Sequence, residues 1–342
     1  MALKLEEKNI SMQGIDFGMV TNNLGLGEVL EIPAVVTGGL LHKMYRVVTE
    51  KGIYAVKVLN EEIMTRPQAY SNTVNSERIA AGFQGMLPVV AALEIDGKQI
   101  HEFDGRYYMI FPWMEGKSVF VPQINAEHCK VMGEVLGRMH AMELSIEGVE
   151  PEADATEFYD WDSLADKTDG KEVWKVRFRE ALTDIKAWNR AVCDSAEKLN
   201  KKLVISHRDL DPKNVMWNDT EPLLIDWEAA GYVNPYQELL EVINYWTEDG
   251  KGGLNREYFD ALTSSYQKHM GLDDVAWDAV FAGSYAGMLG WLEYNVKRAL
   301  GLLSKDVEDI YKGEKQVIGT IKELYHYQQK TELLKDWLGY GR

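Results

Sequence analysis

The residues with the most chemical content lie in one run, His207-Arg208-Asp209-Leu210-Asp211-Pro212-Lys213-Asn214. It follows directly on an apolar stretch with strand character, Leu203-Val204-Ile205. A carboxylate fixed at the end of a strand can orient an attacking hydroxyl and take its proton. An amide one loop-turn later offers a neutral oxygen to a hard divalent cation. Those two functions are what phosphoryl transfer to a hydroxyl asks of a protein, since the chemistry is mostly positioning and charge neutralisation. Asp209 suits the first and Asn214 the second. A chance turn is the plainer account of so short a run, but the residues after it narrow the choice. Val215-Met216-Trp217, a turn at Asn218-Asp219 and Leu223-Leu224-Ile225-Asp226-Trp227 read as a hairpin ending in a carboxylate. Asn214 and Asp226, at its two ends, would clamp one Mg²⁺ between them. A solvated strand-end carboxylate is the alternative for Asp226 taken alone.

These residues need elements to position them, and the chain has a β-rich first part and a helix-rich second. Ala34-Val35-Val36, Met44 to Val48 and Ile53 to Leu59 are β-branched and aromatic strands, with a turn at Glu50-Lys51-Gly52. Two more strands are expected at Val89 to Ile95 and Tyr107 to Phe111. Ser71 to Phe83 has helix start signals and a helical pattern. Beyond Ala126 the expected helices are 126–142, 174–199, 258–269, 275–300 and 317–337. In the fourth of these, Gly283, Gly287 and Gly290 share one face, which suits close helix packing. The first 30 residues suggest a short helix and an approach loop.

Lys57 lies in the apolar strand Tyr54-Ala55-Val56-Lys57. Buried unpaired, its ammonium would be costly, so an anionic partner is expected. Glu77, on the following helix, is the natural one; the alternative is an edge lysine reaching to water. Gly38-Gly39, one hairpin earlier, would let backbone amides approach a phosphate, or simply make a turn.

Composition bounds the rest. The chain has 342 residues, enough for two lobes with their own cores, and a formal charge of −17. So acidic a surface repels phosphate backbones and argues against nucleic acid as a partner, while favouring cationic solutes. The two cysteines, Cys129 and Cys193, suggest neither a metal site nor a disulfide framework. Charged residues near the start exclude an ordinary signal peptide, and no apolar run is long enough for a bilayer span. A cytoplasmic protein without membrane contact is expected.

The run His207 to Asn214 matches the H-R-D-L-x-x-x-N catalytic loop of kinases, and Tyr54-Ala55-Val56-Lys57 resembles their strand lysine. With Gly38 to Val47, Leu224-Ile225-Asp226-Trp227-Glu228 and Asn234-Pro235-Tyr236-Gln237-Glu238-Leu239, the chain resembles the aminoglycoside phosphotransferase family. That family also takes in choline and related small-molecule kinases. The resemblance spans roughly residues 30 to 300. It implies an α+β, two-lobe, protein-kinase-like fold: an antiparallel β-sheet N-lobe over residues 1–111, a hinge at 112–117, and a mainly helical lobe over 118–342 that binds the acceptor. It implies ATP in the cleft, with GTP as an alternative, and Mg²⁺. Asp209 would be the base, Asn214 and Asp226 the metal ligands, and Lys57 with Glu77 the phosphate-anchoring pair under Gly38-Gly39. Pro112 and Met114 would meet adenine through their backbones. The chain departs from the family at Arg208, Asp211, Asn234 and Glu238. No D-F-G or A-P-E segment follows, so a protein-kinase activation loop is absent from the sequence.

The acceptor must be sought among acidic and aromatic residues. Asp211, Glu228, Trp246, Trp291 and Glu293 are the candidates, as binders of an amine or as surfaces for a sugar or quaternary amine. Core packing and solvated helix faces are the commoner fates of such residues. Three functions remain open: an aminoglycoside-type O-phosphotransferase, a kinase for choline or another small metabolite, and a catalytically silent nucleotide-binding protein.

Overall fold

The structure is a computed structural model that describes residues 11–12, 14–36, 42–151 and 158–340. The chain forms two compact units whose boundaries are not sequential. The first gathers residues 1–123, 142–149 and 205–231; the second gathers 124–141, 150–204 and 232–342. The segment 205–231 therefore belongs to the same unit as the N-terminal sheet.

In the first unit, helix α1 (Phe17–Asn23) begins on Asp16, whose side chain accepts the Met19 N–H. A five-stranded antiparallel sheet follows. Its strands are β1 (Ala34–Val36), β2 (Lys43–Thr49), β3 (Gly52–Val58), β4 (His101–Phe103) and β5 (Arg106–Pro112), in the order β1-β2-β3-β5-β4. Strand alternation sets its two faces. Val56 and Val58 point into a core with Phe17, Val20, Tyr45, Val47 and Ile110. Lys57 and its cross-strand neighbour Met109 point the other way. Helix α2 (Ala69–Phe83) buries Ser76, Glu77, Ile79, Ala80 and Phe83.

The sheet strand expected at 89–95 is absent as a strand. Its backbone donors are spent one at a time: Val90 N–H on Leu224 O, Ala92 N–H on the Glu77 carboxylate and Leu93 N–H on Ile110 O. With one donor given to a side chain, no continuous ladder can form.

After β5, β6 (Lys117–Ser118) pairs with β8 (Val215–Asn218), which pairs with β9 (Glu221–Leu224) in the expected hairpin. Gly116 is required at the entry to β6: a Cβ there would lie 2.9 Å from the Trp217 carbonyl oxygen. Strand β7 (Val204–Ser206) leads into the loop at His207.

The second unit is helical. It comprises α3 (Ala126–Ala141), α4 (Val173–Leu199), α5 (Pro235–Trp246), α6 (Arg256–Tyr266), α7 (Trp277–Gly283), α8 (Ala286–Ala299) and α9 (Val307–Trp337), with a short turn of helix at Trp161–Ala165. Helices α3 and α6 cross tightly at Gly133, where a Cβ would overlap the Leu262 carbonyl. The single helix expected over 275–300 is two. Ser284 Oγ bonds back to Val280 O and the Tyr285 N–H turns to Ala282 O, which tightens the chain between α7 and α8. Of the three glycines noted there, Gly283 and Gly290 abut other side chains and Gly287 faces open space. Among the described residues, no helix is long and apolar enough to cross a membrane.

Candidate active site

Lys57, Asp209, Asn214 and Asp226 all lie in the first unit. His207 is fully buried and bonds in two directions: its Nδ1 accepts the Asp209 N–H at 3.3 Å and its Nε2 donates to Ile225 O at 3.0 Å. One imidazole thereby ties the loop to the end of the β8–β9 hairpin. Trp227 packs on it at 4.5 Å and against Phe83 of α2 at 5.8 Å. The Ile225 N–H donates to Asn214 O at 3.0 Å, so the two ends of the hairpin are joined as well.

Asn214, buried, turns its amide toward the Asp209 carboxylate. Nδ2 donates to Asp209 Oδ2 at 2.9 Å and to Asp209 O at 2.8 Å. With the nitrogen committed, the amide oxygen is the atom left to a cation. Asp226 stands at a left-handed backbone position, φ 60°, with 46 % of its side chain exposed. An amide oxygen and a carboxylate make a hard, all-oxygen donor pair, which fits Mg²⁺ carried in with substrate phosphates.

Lys57 is 8 % exposed, and its ammonium is paired, but not with Glu77. Nζ meets Asp226 Oδ1 at 3.0 Å and also Glu228. Burial works against its charge, and these two carboxylates more than compensate, raising its pKa. Glu77 accepts the Ala92 N–H at 2.9 Å instead. Burial pushes its pKa up to about 7, against the Ala92 bond and the nearby Lys57 charge. The expected anionic partner therefore exists, but two residues from the hairpin end supply it, because Glu77 is consumed by the irregular segment at 92.

Glu228 was expected as an acceptor ligand; it is a partner of Lys57. Burial opposes its ionisation, yet a hydrogen bond from His42 and the Lys57 charge hold its pKa down to about 2. His42 Nδ1 accepts the Asn60 N–H at 2.9 Å, so its Nε2 is the nitrogen that faces Glu228, at 3.3 Å. His42 has no distinguishing mark in the sequence beyond preceding β2. The two carboxylates at Asp226 and Glu228 were visible, but their convergence on one lysine depends on the turn at Trp227–Ala229.

The remaining candidates separate clearly. Gly38 and Gly39 lie outside the described residues. Pro112 ends β5 opposite Tyr54, and Met114 follows it, half-buried. Asp211 caps the 3₁₀ turn Pro212–Asn214, its Oδ1 accepting the Lys213 N–H at 2.8 Å. In the helical unit, Trp246 is 0 % exposed and forms part of the core, which removes it as a stacking surface. Trp291 is 47 % exposed and stacks on Tyr294 at 5.5 Å. Glu293 is held by Lys297. Asn234 caps α5 and also donates to Leu199 O and Lys202 O, while Glu238 is buried against His140 at 2.8 Å. These two departures from the resembled family serve as helix cap and buried bond.

Residues 34–272 match the model of the phosphotransferase enzyme family. A homoserine kinase from Zymomonas mobilis is 23% identical over 301 residues, covering 84% of this chain and 88% of that one. Among solved structures, a spectinomycin phosphotransferase in complex with ADP and spectinomycin has a TM-score of 0.64 at 13% identity, covering 91% of this chain and 98% of its own. An ethanolamine kinase from Plasmodium vivax has a TM-score of 0.56 at 14% identity, covering 89% of this chain and 86% of its own. The antiparallel sheet, the helical remainder and these likenesses agree on one architecture. With the family model extending over most of its length, the chain belongs to the phosphotransferase enzyme family and is a small-molecule kinase of protein-kinase-like fold.

Proposed function

We propose that the protein transfers the γ-phosphate of ATP to a hydroxyl of a small molecule that also carries an amine. The observation that carries this is the Asn214 amide, which holds the Asp209 carboxylate with its nitrogen and keeps its oxygen for a cation. Asp209 receives the acceptor hydroxyl and its proton. Lys57, steadied by Asp226 and Glu228, anchors the α- and β-phosphates. Asn214 and Asp226 would hold Mg²⁺, which when bound neutralises charge on the phosphate oxygens. Pro112 and Met114 border the adenine through their backbones.

Two considerations support an amine-bearing acceptor. The chain carries a formal charge of −17, which draws cations toward it. Spectinomycin, ethanolamine and homoserine, named for the similar proteins, all combine an amine with an alcohol. The second reading, a small-metabolite kinase rather than an aminoglycoside-type enzyme, is favoured by the homoserine kinase likeness, which is a sequence match over 84% of this chain. A coupled nucleotide-turnover assay with Mg²⁺ decides between them. Stimulation by spectinomycin or another aminoglycoside supports the first, and stimulation by homoserine, ethanolamine or choline supports the second. ATP turnover unmoved by every amino alcohol tested overturns the acceptor class.

A further inference from the structure

The catalytic aspartate has a cation of its own. Lys213 Nζ lies 3.3 Å from Asp209 Oδ2, the same oxygen that accepts Asn214 Nδ2 at 2.9 Å. Both contacts fall on Oδ2, which leaves Oδ1 for an incoming hydroxyl. The backbone of Lys213 is fixed on both sides: its N–H donates to Asp211 Oδ1 at 2.8 Å and its carbonyl accepts Ser118 Oγ at 3.2 Å. The side chain beyond is 56 % exposed, so a fixed stem carries an ammonium that is free to swing.

Charge placement gives this ammonium a task. Lys57 is already committed to two carboxylates, Asp226 and Glu228. Arg208, the other cation of the loop, has its guanidinium beside Gly231, where an added Cβ would be 3.1 Å from Nη1. A hydroxyl bonded to Asp209 must stand in line with the γ-phosphorus at near-attack distance. That brings the anionic phosphoryl group close to an anionic carboxylate, and the repulsion between them is greatest when the new bond is forming. A cation placed between the two removes it.

We infer that Lys213 is a second catalytic cation, which leaves Asp209 Oδ2 for the oxygens of the γ-phosphoryl group as it is transferred. This rests on the phosphoryl-transfer function proposed above. In the step, the acceptor oxygen forms the new O–P bond as its proton passes to Asp209 Oδ1. The bond from the γ-phosphorus to the β–γ bridging oxygen breaks, and its electron pair leaves on the nucleoside diphosphate. Lys213 stays protonated throughout, and the proton on Asp209 is later released to solvent. Because Lys213 acts on charge that grows during transfer, it lowers the barrier without tightening nucleotide binding.

The test uses the full-length protein with Mg-ATP, first with water as acceptor and then with homoserine, ethanolamine and spectinomycin in turn. Lys213→Met is expected to lower kcat 10- to 100-fold with each acceptor that wild type uses, water included. Its Kd for Mg-ATP by calorimetry should stay within twofold of wild type. Lys213→Arg, which keeps the charge, is expected to recover most of the lost rate. A Lys213→Met kcat within twofold of wild type overturns the inference. So does a loss confined to nucleotide Kd, which would make Lys213 a ground-state contact. Asp209→Asn measured in parallel separates the two levels. If Asp209→Asn is inactive while Lys213→Met keeps its rate, only the role of Lys213 fails. If Asp209→Asn turns over at the wild-type rate, the site assignment fails and the inference with it.

Discussion

Asn214 donates to Asp209 twice, to its carboxylate Oδ2 at 2.9 Å and to its backbone carbonyl at 2.8 Å. A side-chain amide bound at two points cannot rotate to exchange its nitrogen and oxygen without losing both bonds. The proposed base and the proposed metal ligand are thus one unit. Removing either residue disturbs the other, and single substitutions here should not be additive.

Asp226 serves two partners, the buried Lys57 ammonium and the proposed Mg²⁺. Asp226→Asn is expected to weaken Mg-ATP binding by about tenfold or more, which is about 1.4 kcal/mol per factor of ten. ATP without metal should be affected less. Isothermal titration with and without Mg²⁺ checks this; equal losses in both would assign Asp226 to Lys57 alone. Glu228 remains to hold Lys57 in the variant, so the fold should survive.

Glu77 sets a pH dependence. Its folded-state pKa, raised to about 7, lies above the ordinary 4.5, so between those values the folded protein binds more protons than the unfolded chain. Stability conferred at low pH is therefore lost as pH rises through that window. Glu77→Gln can still accept the Ala92 N–H but has no proton to lose. Its Tm relative to wild type should climb from about pH 5 to about pH 8, followed by thermal denaturation in matched buffers. A constant difference over that range would mean that Glu77 does not titrate there.

Much of this site could be read from spacing. Asp209, Asn214 and Asp226 lie within one loop and one hairpin, where local sequence dictates geometry, and the hairpin register follows from its turn. What escaped were contacts between segments distant along the chain. Lys57 meets Asp226, 169 positions away, and nothing local distinguishes Glu77 from Glu228 as a further partner. The choice is made by Ala92, whose N–H takes the Glu77 carboxylate because the segment around it is not a strand. Trp246 and Trp291 looked alike for the same reason, since an aromatic on a helix reveals its face only once the neighbouring helices are packed.

That last distinction is testable. Trp246→Ala should open a cavity in the helical core and cost about 3–5 kcal/mol of stability. Trp291→Ala should stay within about 0.5 kcal/mol of wild type in stability. Denaturant unfolding of the two variants reads out the difference; equal losses would contradict it.

The most direct test of the account is acceptor-dependent ADP release by wild type and by Asp209→Asn, with Mg-ATP affinity measured on the same preparations. The predicted result is a fall in turnover of about 10²–10⁴-fold with nucleotide affinity essentially intact. Undiminished turnover in Asp209→Asn would contradict it, because the proposal gives the acceptor hydroxyl's proton to Asp209.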